Sequence, residues 1–453
     1  MDKPNNKEWI AELSKMAVAS SRVSSSLYTQ YDVKRGLRDI HGKGVLAGLT
    51  QIGEVLAHPE GDETGPGNLI YRGRNIEDLV AGFLAEGRPG YEETCYLLLG
   101  GKLPTREKLA GFQELLSSLR ELPHYFIRDS MLALSSRDVM NAMAQSILAL
   151  YTLDKTADDV SIRNVMRQCL KLIAVFPLLA VYSYHASTYA HKGKSLVLHS
   201  PRAELSTAEN FLHMLRDDSA YTPLEAQMLD LALVLHAEHG GGNNSSFTTH
   251  VVTSSLTDTY STIAAAMGSL KGPRHGGANA KVVAMFEDLK REVKNWSSDD
   301  EVSDYLLKLL NREGFDRSGL IYGIGHAVYS VSDPRTTILR EQVGKLAEEK
   351  GLGEEMELYK RVERLGPEVI GLKRRMYKGV SANVDFYSGF LYRLLAIPQE
   401  LFTPIFAVAR IAGWSAHRIE ELANTGKIIR PAYKSVAERR PYVPLAKRKD
   451  EAT

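Results

Sequence analysis

The sequence predicts an all-α protein with minor short β hairpins near its N-terminus. Apolar side chains recur at three- and four-residue spacing through most of the chain, as at Leu109, Phe112 and Leu116, which is typical of amphipathic helices. Alternation of apolar and polar residues is confined to short pieces around residues 49–56 and 68–72, where small hairpins are expected. No alternation of strands with helices and no glycine-rich phosphate loop occurs, which disfavours a Rossmann dehydrogenase or a P-loop enzyme.

The middle of the chain carries regular helical patterns. Met143, Ile147 and Tyr151 are spaced to share one face of a helix. Residues 170–184 are the most apolar stretch, which contains Lys171 and Pro177 and is shorter than the roughly 20 residues that a bilayer-spanning helix needs. We predict a buried helix there, with Pro177 as the site of a kink, and no membrane span.

Two glycine-rich breaks, at residues 272–277 and 323–325, interrupt the helices of the second half. The segment between them, residues 280–317, has a helical pattern and many charges, which is typical of a smaller and more exposed domain. The predicted organisation is a large helical domain of residues 1–277 and 392–453 and a small helical domain of residues 278–391.

Composition limits the possible partners and compartments. The 453 residues include 56 Lys and Arg against 55 Asp and Glu, for a net charge of +1, which argues against a general nucleic-acid or membrane-surface binder. Two cysteines are too few for a disulfide framework and suit a reducing compartment. The first ten residues are polar and lack the apolar core of a signal peptide. We therefore expect a cytoplasmic protein without nucleic-acid or membrane partners.

Four segments concentrate polar groups in apolar or glycine-rich surroundings. They are HAEHGGGN at residues 236–243, GPRHGGAN at 272–279, GIGHAVYSVSDPR at 323–335 and NVDFYSG at 383–389. A lone histidine in such a segment is usually a hydrogen-bonded core or helix-end residue. Their occurrence together favours one shared active site.

The two histidines of the glycine-rich breaks have predicted chemical roles. His275 directly precedes a helical run that starts near Ala278, and a helix N-terminus keeps an imidazole neutral and able to donate a hydrogen bond. His326 is followed nine residues later by Arg335, so the pair could hold a carboxylate beside a polarised carbonyl. A surface salt bridge with Asp333 is the alternative for Arg335.

Three further charged residues stand out, and each has a plainer alternative. Asp385 lies between apolar residues, where desolvation would raise its pKa and make it a better general base, or it could cap the next helix. Arg410 is a charge within an apolar helix, which is costly unless it has a partner. Arg430, before a proline, could be ordinary surface. His236 and His239 flank a glutamate, but HExxH and HxxEH are absent, so no metal site is predicted.

These segments, taken in their order along the chain, resemble the citrate synthase family. The resemblance covers nearly the whole chain, from RGLRDI at residue 35 and LIYRGRNIEDL at residue 69 through Arg430-Pro431. The resemblance implies almost entirely helical homodimers, with a large and a small domain that close around substrate without a metal. It implies condensation of acetyl-CoA with oxaloacetate and hydrolysis of citryl-CoA. Coenzyme A thioester would be a co-substrate, and no tightly bound cofactor is expected.

The resemblance also implies the role of each matching residue. The catalytic residues would be His275, His326 and Asp385. The oxaloacetate-binding residues would be His239, Arg335, Arg410 and Arg430, the last of which would complete the site of the neighbouring subunit. The coenzyme A surface would include Gly323, Gly325 and Asn383.

Other readings remain open. A 2-methylcitrate synthase would use propionyl-CoA on the same residues, and a helical interaction protein of the same fold would have lost catalysis, although the three catalytic residues are all present. A basic tail at residues 439–440 and 447–449 could bind nucleic acid. The motif pattern is eukaryote-like, of the Si type, without a targeting peptide. Ser330 stands where the family often has Lys or Arg, which leaves open which base would meet the coenzyme A phosphates.

Overall fold

The structure, a computed structural model, describes residues 6–39, 43–59, 62, 64–326, 328–373, 379–424 and 426–448. Lys449 of the basic tail and Ala327 of the third polar segment lie outside these ranges. The helices are α1 (Asn6–Ser21), α2 (Ser25–Gln30), α3 (Ile76–Ala85), α4 (Tyr91–Gly100), α5 (Arg106–Ser118), α6 (His124–Phe126), α7 (Val139–Tyr151), α8 (Ile162–Lys192), α9 (Thr207–Leu215), α10 (Pro223–His236), α11 (Asn244–Thr253), α12 (Thr259–Lys271), α13 (Ala278–Glu292), α14 (Asp299–Leu310), α15 (Pro334–Glu349), α16 (Gly353–Lys373), α17 (Val384–Leu394) and α18 (Phe402–Ala423).

Three short strands form the β structure of the described residues, and they confirm the predicted hairpins. The strands β1 (Gly53–Leu56), β2 (Asn68–Tyr71) and β3 (Arg74–Asn75) make an antiparallel sheet in the order β1-β2-β3. The turn between β2 and β3 consists of Arg72 and Gly73, whose φ angles are +48° and +78°. Both angles are left-handed, as the tightest hairpin turns require. The predicted all-α class with minor hairpins is confirmed.

The chain separates into two units, residues 47–429 and residues 1–46 with 430–453. The larger unit contains α3 to α18, the sheet and the hydrophobic core. The terminal unit contains α1 and α2, and the guanidinium of Arg35 lies 4.5 Å from the centre of the Tyr28 ring. The domain boundaries predicted after residues 277 and 391 remain a prediction.

Helix α8 is the central helix of the larger unit and packs against α18, α7 and α9. Its side chains from Leu172 to Val181 are all buried, which confirms the predicted buried helix. The helix extends well beyond the apolar stretch, to 31 residues. Among the described residues it alone is long and apolar enough to cross a membrane, but 78% of its most apolar part is buried inside the protein, as in a core helix. Cys95 and Cys169 are free and buried.

The polar segments lie at the ends of four helices, and Arg410 lies in the interior of a fifth. Helix α10 ends at His236, and α13 begins three residues after His275. Asp333 caps α15 by accepting a hydrogen bond from the Arg335 backbone N–H, with Pro334 in the first position of the helix. Asn383 caps α17 in the same way. Helix α18 packs against α8, α10 and α11 and carries Arg410 in its interior.

Candidate active site

Arg410 is a fully buried charge with unused hydrogen-bonding capacity. Its Nε donates to the His236 carbonyl at 2.7 Å, and the guanidinium lies 4.8 Å from the centre of the Phe406 ring. Both terminal nitrogens, Nη1 and Nη2, are buried and have no hydrogen-bond partner. Burial lowers the pKa of Arg410 to about 10, against the opposing charge of Glu238, so the group is cationic at neutral pH. Unpaired buried donors are costly, and these two would suit a ligand carboxylate.

Arg335 is the second buried guanidinium of the region. Its Nε and Nη2 donate to the two carboxylate oxygens of Asp333 at 3.0 and 2.7 Å. The predicted alternative, a salt bridge with Asp333, therefore forms, but it is buried rather than at the surface. After burial, the charge of Arg335 is the next cause that lowers the pKa of His236 and His239. The same charge opposes the burial that raises the pKa of Asp385.

His236 and His239 are neutral imidazoles beside these arginines. Burial, with contributions from the charges of Arg335 and Arg410, lowers the pKa of both rings well below the ordinary value. The His236 ring stacks on Phe406 at 4.5 Å, and neither of its nitrogens has a hydrogen-bond partner. Nε2 of His239 is likewise buried and unpartnered. The site thus contains several polar atoms whose hydrogen bonds are not made within the described protein.

The local backbone fixes the tautomer of His326. Its Nδ1 accepts hydrogen bonds from the backbone N–H groups of Val328 and Tyr329, both at 3.0 Å. Nδ1 therefore carries no proton, and the neutral ring must carry its proton on Nε2. The ring stacks on Tyr329 at 4.5 Å and meets the His239 ring edge to face at 5.3 Å. The two backbone hydrogen bonds thus determine which nitrogen of a neutral His326 ring carries the proton.

His275 is oriented by a serine that the sequence argument did not single out. Its Nε2 lies 3.1 Å from Ser245 Oγ, which also accepts a hydrogen bond from Trp414 Nε1 at 3.1 Å. Ser245 Oγ also lies 3.1 Å from Asn243 Oδ1, so its single proton can go either to that oxygen or to Nε2 of His275. In the second arrangement the neutral ring carries its own proton on Nδ1. Burial lowers the pKa of His275 to about 4, and the charge of Arg410 contributes. The ring is therefore neutral at pH 7, chiefly because of burial, whereas the sequence argument invoked the helix N-terminus.

Asp385 lies in the first turn of α17 and is partly buried. Burial raises the pKa of its carboxyl to about 6, the charge of Arg335 lowers it, and the charge of Asp333 raises it. None of the described residues donates a hydrogen bond to the carboxylate. The side chain that caps the helix is that of Asn383, which accepts a hydrogen bond from the Asp385 N–H. Asp385 is therefore not the cap that the alternative reading proposed, and its carboxylate is available to act as a base.

The residues predicted to bind coenzyme A lie on two segments that are joined by an antiparallel bridge between Ile324 and Ala382. The Asn383 N–H donates to the Gly323 carbonyl at 2.9 Å, and its side-chain amide donates to the Gly325 carbonyl at 2.8 Å. Gly323 has a φ of +81°, and a Cβ there would lie 2.8 Å from the Phe386 ring. Only glycine suits that position. These hydrogen bonds hold the first residues of α17, including Asp385, against the loop that leads to His326.

Three further predictions concern Arg430, Ser330 and the pair His236 and His239. Arg430 belongs to the terminal unit and is exposed. The Ser330 hydroxyl lies 3.4 Å from Nε2 of His58, so an imidazole stands next to the position where a Lys or Arg was expected. His236 and His239 are not joined by a third acidic, histidine or cysteine ligand among the described residues.

Long-range contacts bring the predicted residues together. His239 and His326 contact each other through their rings, and Phe406 lies beside His236, Arg410 and, at 6.4 Å, His275. Ser245, Trp414 and Phe406 also contribute to the site and were not predicted from the sequence. Ser245 could have been suspected because it directly follows the glycine- and asparagine-rich end of the first polar segment. An isolated aromatic residue on a helix carries no such signal.

The comparisons with known proteins give a consistent result. A family model for the citrate synthase C-terminal domain matches residues 37–432. A citrate synthase of Synechocystis is 35% identical over 408 residues, which covers 89% of this chain and 93% of the relative. A 2-methylcitrate synthase of Shewanella oneidensis is 32% identical over 410 residues and covers 90% of this chain and 97% of the relative.

Solved structures resemble the fold closely. The citrate synthase of Pyrobaculum aerophilum superposes with a TM-score of 0.73 at 30% identity, covering 90% of this chain and 95% of that one. A ternary complex of the Thermoplasma acidophilum citrate synthase with carboxymethyl coenzyme A and oxaloacetate gives a TM-score of 0.72 at 27% identity. It covers 91% of this chain and 99% of that one.

Proposed function

This chain belongs to the citrate synthase family of acyltransferases, and we propose that it condenses acetyl-CoA with oxaloacetate and hydrolyses citryl-CoA to citrate and coenzyme A. The observation that carries the proposal is the guanidinium of Arg410. It is fully buried, and both of its terminal nitrogens lack a partner. A dicarboxylate such as oxaloacetate supplies the missing acceptors, because carboxylates bind guanidinium groups through two parallel hydrogen bonds.

Oxaloacetate would be held by residues that the structure places in one region. Arg410 would bind one carboxylate, and Arg335, already anchored by Asp333, would add positive charge for the second. The unpartnered Nε2 of His239 would make a further hydrogen bond. His326, whose proton lies on Nε2, would donate to the ketone oxygen and stabilise the alkoxide that develops there.

The acyl group would be activated by two residues acting together. The Asp385 carboxylate removes a proton from the thioester methyl group, and His275 donates a hydrogen bond to the thioester oxygen as negative charge develops on it. A neutral imidazole suits this donor role, and burial lowers the pKa of His275 to about 4. The new carbon–carbon bond then forms between the enolate carbon and the polarised ketone. Closure of the predicted small domain over the substrates would exclude water during this step.

Coenzyme A would lie against the joined segments that contain Gly323, Gly325 and Asn383. The glycine segment leads to His326, and Asn383 caps α17, which carries Asp385. A thioester bound there would be adjacent to both residues that act on it. Support for a coenzyme A ligand comes from the Thermoplasma acidophilum relative, which was solved with a coenzyme A analogue and oxaloacetate.

Propionyl-CoA is the second candidate substrate, because a relative named 2-methylcitrate synthase matches almost as well as those named citrate synthase. Several citrate synthases reach 35–36% identity, against 32% for this relative, which favours acetyl-CoA. Steady-state release of the coenzyme A thiol in the presence of oxaloacetate distinguishes them. We expect kcat/KM to be at least about tenfold higher for acetyl-CoA. A preference for propionyl-CoA would assign the chain to the second activity.

The pH profile should report the ionisation of Asp385. Its pKa is raised to about 6 by burial, and a general base must be deprotonated to act. We therefore expect kcat/KM for the acyl-CoA to be flat above about pH 7 and to fall about tenfold per pH unit below pH 6. The buried histidines do not confound this range, because their pKa values are lowered. A profile that stays flat to about pH 5 would exclude Asp385 as the base.

We propose a homodimer in which Arg430 completes the neighbouring site. Helix α1 of the terminal unit exposes Trp9, Leu13 and Met16 at helical spacing, each with half or nearly half of its surface accessible. Exposed apolar side chains in one stripe mark an interaction surface. Arg430 belongs to this same unit, so an interface formed by the unit would bring Arg430 close to a second copy.

Complementation tests whether Arg430 acts across the dimer. Asp385→Ala and Arg430→Ala are each expected to be nearly inactive, and they would be unfolded together, mixed and refolded. If Arg430 acts in trans, one active site of each heterodimer contains both substitutions and the other contains neither. Activity therefore reappears on mixing. If Arg430 acts within its own chain, every pocket keeps one defect. Native mass spectrometry confirms the heterodimers, and heterodimers without activity would contradict the proposal.

A further inference from the structure

A hydrogen-bonded row of four ionisable side chains connects α11 and α18 and begins at Glu238, the residue before His239. Glu238 Oε1 lies 3.0 Å from Nε2 of His417, and Nδ1 of His417 lies 3.1 Å from Nε2 of His250. Nδ1 of His250 in turn lies 2.8 Å from Glu421 Oε2. Glu238 and His417 are fully buried, and the side chains of His250 and Glu421 are only 13% and 17% exposed. None of these groups is needed for the reaction proposed above.

The two carboxylates determine which ring nitrogens carry protons. A carboxylate only accepts hydrogen bonds, so Nε2 of His417 and Nδ1 of His250 must be the donors. In two neutral rings, the remaining nitrogens, Nδ1 of His417 and Nε2 of His250, then carry lone pairs and no protons. These two nitrogens face each other at 3.1 Å. Two lone pairs repel at that distance unless a proton or a metal ion lies between them.

A third ligand atom lies beside this pair. Glu420 Oε1 accepts a hydrogen bond from the Gln51 backbone N–H at 2.7 Å. Its other oxygen, Oε2, is buried without a hydrogen-bond partner and lies 3.9 Å from Nδ1 of His417. The ligand atoms of His250, His417 and Glu420 all lie within 4.8 Å of one another. Two imidazole nitrogens and one carboxylate oxygen therefore lie in one small region.

We propose that His250, His417 and Glu420 bind a divalent transition-metal ion of the Zn²⁺ class. Two imidazoles and one carboxylate are a common ligand set for Zn²⁺, with bond lengths of about 2.0–2.2 Å and a water in the fourth position. Such bonds put tetrahedral ligands roughly 3.3 Å apart. The 3.1 Å pair already fits this spacing, and Glu420 Oε2, now 3.9 Å from Nδ1 of His417, would move closer on binding. Glu238 and Glu421 hold the outer nitrogens of the two histidines, as carboxylates commonly do around zinc-bound histidines.

The ion would act as a clamp rather than as a participant in the condensation. It would join His250 on α11 to His417 and Glu420 on α18, the helix that also carries Arg410. Glu238, which orients His417, directly precedes His239 in the chain. Metal binding would therefore stabilise the packing of the helices that position the oxaloacetate site.

Titration of the metal-free full-length protein with Zn²⁺ alone tests the proposal. After dialysis against EDTA, isothermal calorimetry should show one Zn²⁺ per chain with a dissociation constant of about micromolar or tighter. Co²⁺ in the same site should give the visible absorption of a tetrahedral complex, and the melting temperature should rise with Zn²⁺ and fall again with EDTA. His250→Gln should weaken binding by at least about 100-fold and Glu420→Gln by at least about tenfold.

His191→Gln is the matched control, because it removes an exposed imidazole outside the cluster. It should leave Zn²⁺ binding unchanged, and circular dichroism checks that each variant is folded. Binding that is absent in the wild-type chain, or that persists in both His250→Gln and Glu420→Gln, would overturn the proposal. So would a nitrogen-15 spectrum in which a ring proton is shared between His250 and His417 and is not displaced by Zn²⁺.

Discussion

Asp385→Asn is expected to lower the turnover of condensation by on the order of 10³-fold while oxaloacetate affinity stays within about twofold of the wild-type value. The amide keeps the shape of the side chain but cannot accept the methyl proton. Its position in the first turn of α17 is set by the Asn383 cap, which the substitution does not disturb. Turnover measured by thiol release and oxaloacetate affinity measured by calorimetry together check the expected result.

Tyr392→Phe is the matched control for this substitution. Tyr392 lies on the same helix, and its hydroxyl is buried without a hydrogen-bond partner, so its removal should leave turnover within about threefold. Near-normal turnover of Asp385→Asn would remove Asp385 from the mechanism. Loss of oxaloacetate affinity in Asp385→Asn would instead show that the Asp385 carboxylate takes part in oxaloacetate binding.

Arg410→Met is the second substitution with a large expected effect, and it should separate binding from stability. Methionine approximates the length of the arginine stem but leaves a substrate carboxylate without its bidentate partner. Loss of such a charged partner typically costs about 2–5 kcal/mol, so oxaloacetate affinity should fall by at least about 30-fold. The melting temperature should change by only a few degrees, because replacing a buried and underpartnered charge by an apolar side chain is often close to neutral for stability.

Arg418→Met provides the opposite case on the same helix. Arg418 is also fully buried, but its Nη1 donates to Thr253 and Thr262 and its Nη2 donates to the Thr257 carbonyl. Its removal leaves several buried groups unpaired, so the melting temperature should fall markedly while the folded protein keeps its oxaloacetate affinity. Equal effects of the two substitutions on binding would contradict the assignment of Arg410 as a ligand.

The sequence could predict the features that depend on local chemistry. Arg410 stood out because a charge within an apolar helical run needs a partner, and it is fully buried with two unused nitrogens. The hairpins near residues 53–75 followed from period-two alternation of apolar and polar residues. The family and the helical class followed from motifs that are contiguous in the chain.

Contacts between distant segments could not be predicted in this way. Ser245 and Trp414 are 169 positions apart, yet the Trp414 ring N–H donates to the same Ser245 hydroxyl that contacts His275. The Asp333–Arg335 pair could be foreseen from its spacing, but its burial depends on the helices packed around it. The facing lone pairs of His250 and His417 arise from two carboxylates on different segments, and no spacing rule records them.

Product analysis with carbon-13 tests the central claim most directly. Acetyl-CoA labelled in its methyl carbon is incubated with unlabelled oxaloacetate and the wild-type chain, and the products are followed by nuclear magnetic resonance. The account predicts that the label appears in a methylene carbon of citrate, at the rate at which free thiol is released, because Asp385 and His275 generate a carbon nucleophile that attacks the bound ketone. Label recovered only as acetate would show thioester hydrolysis without condensation and would contradict the account.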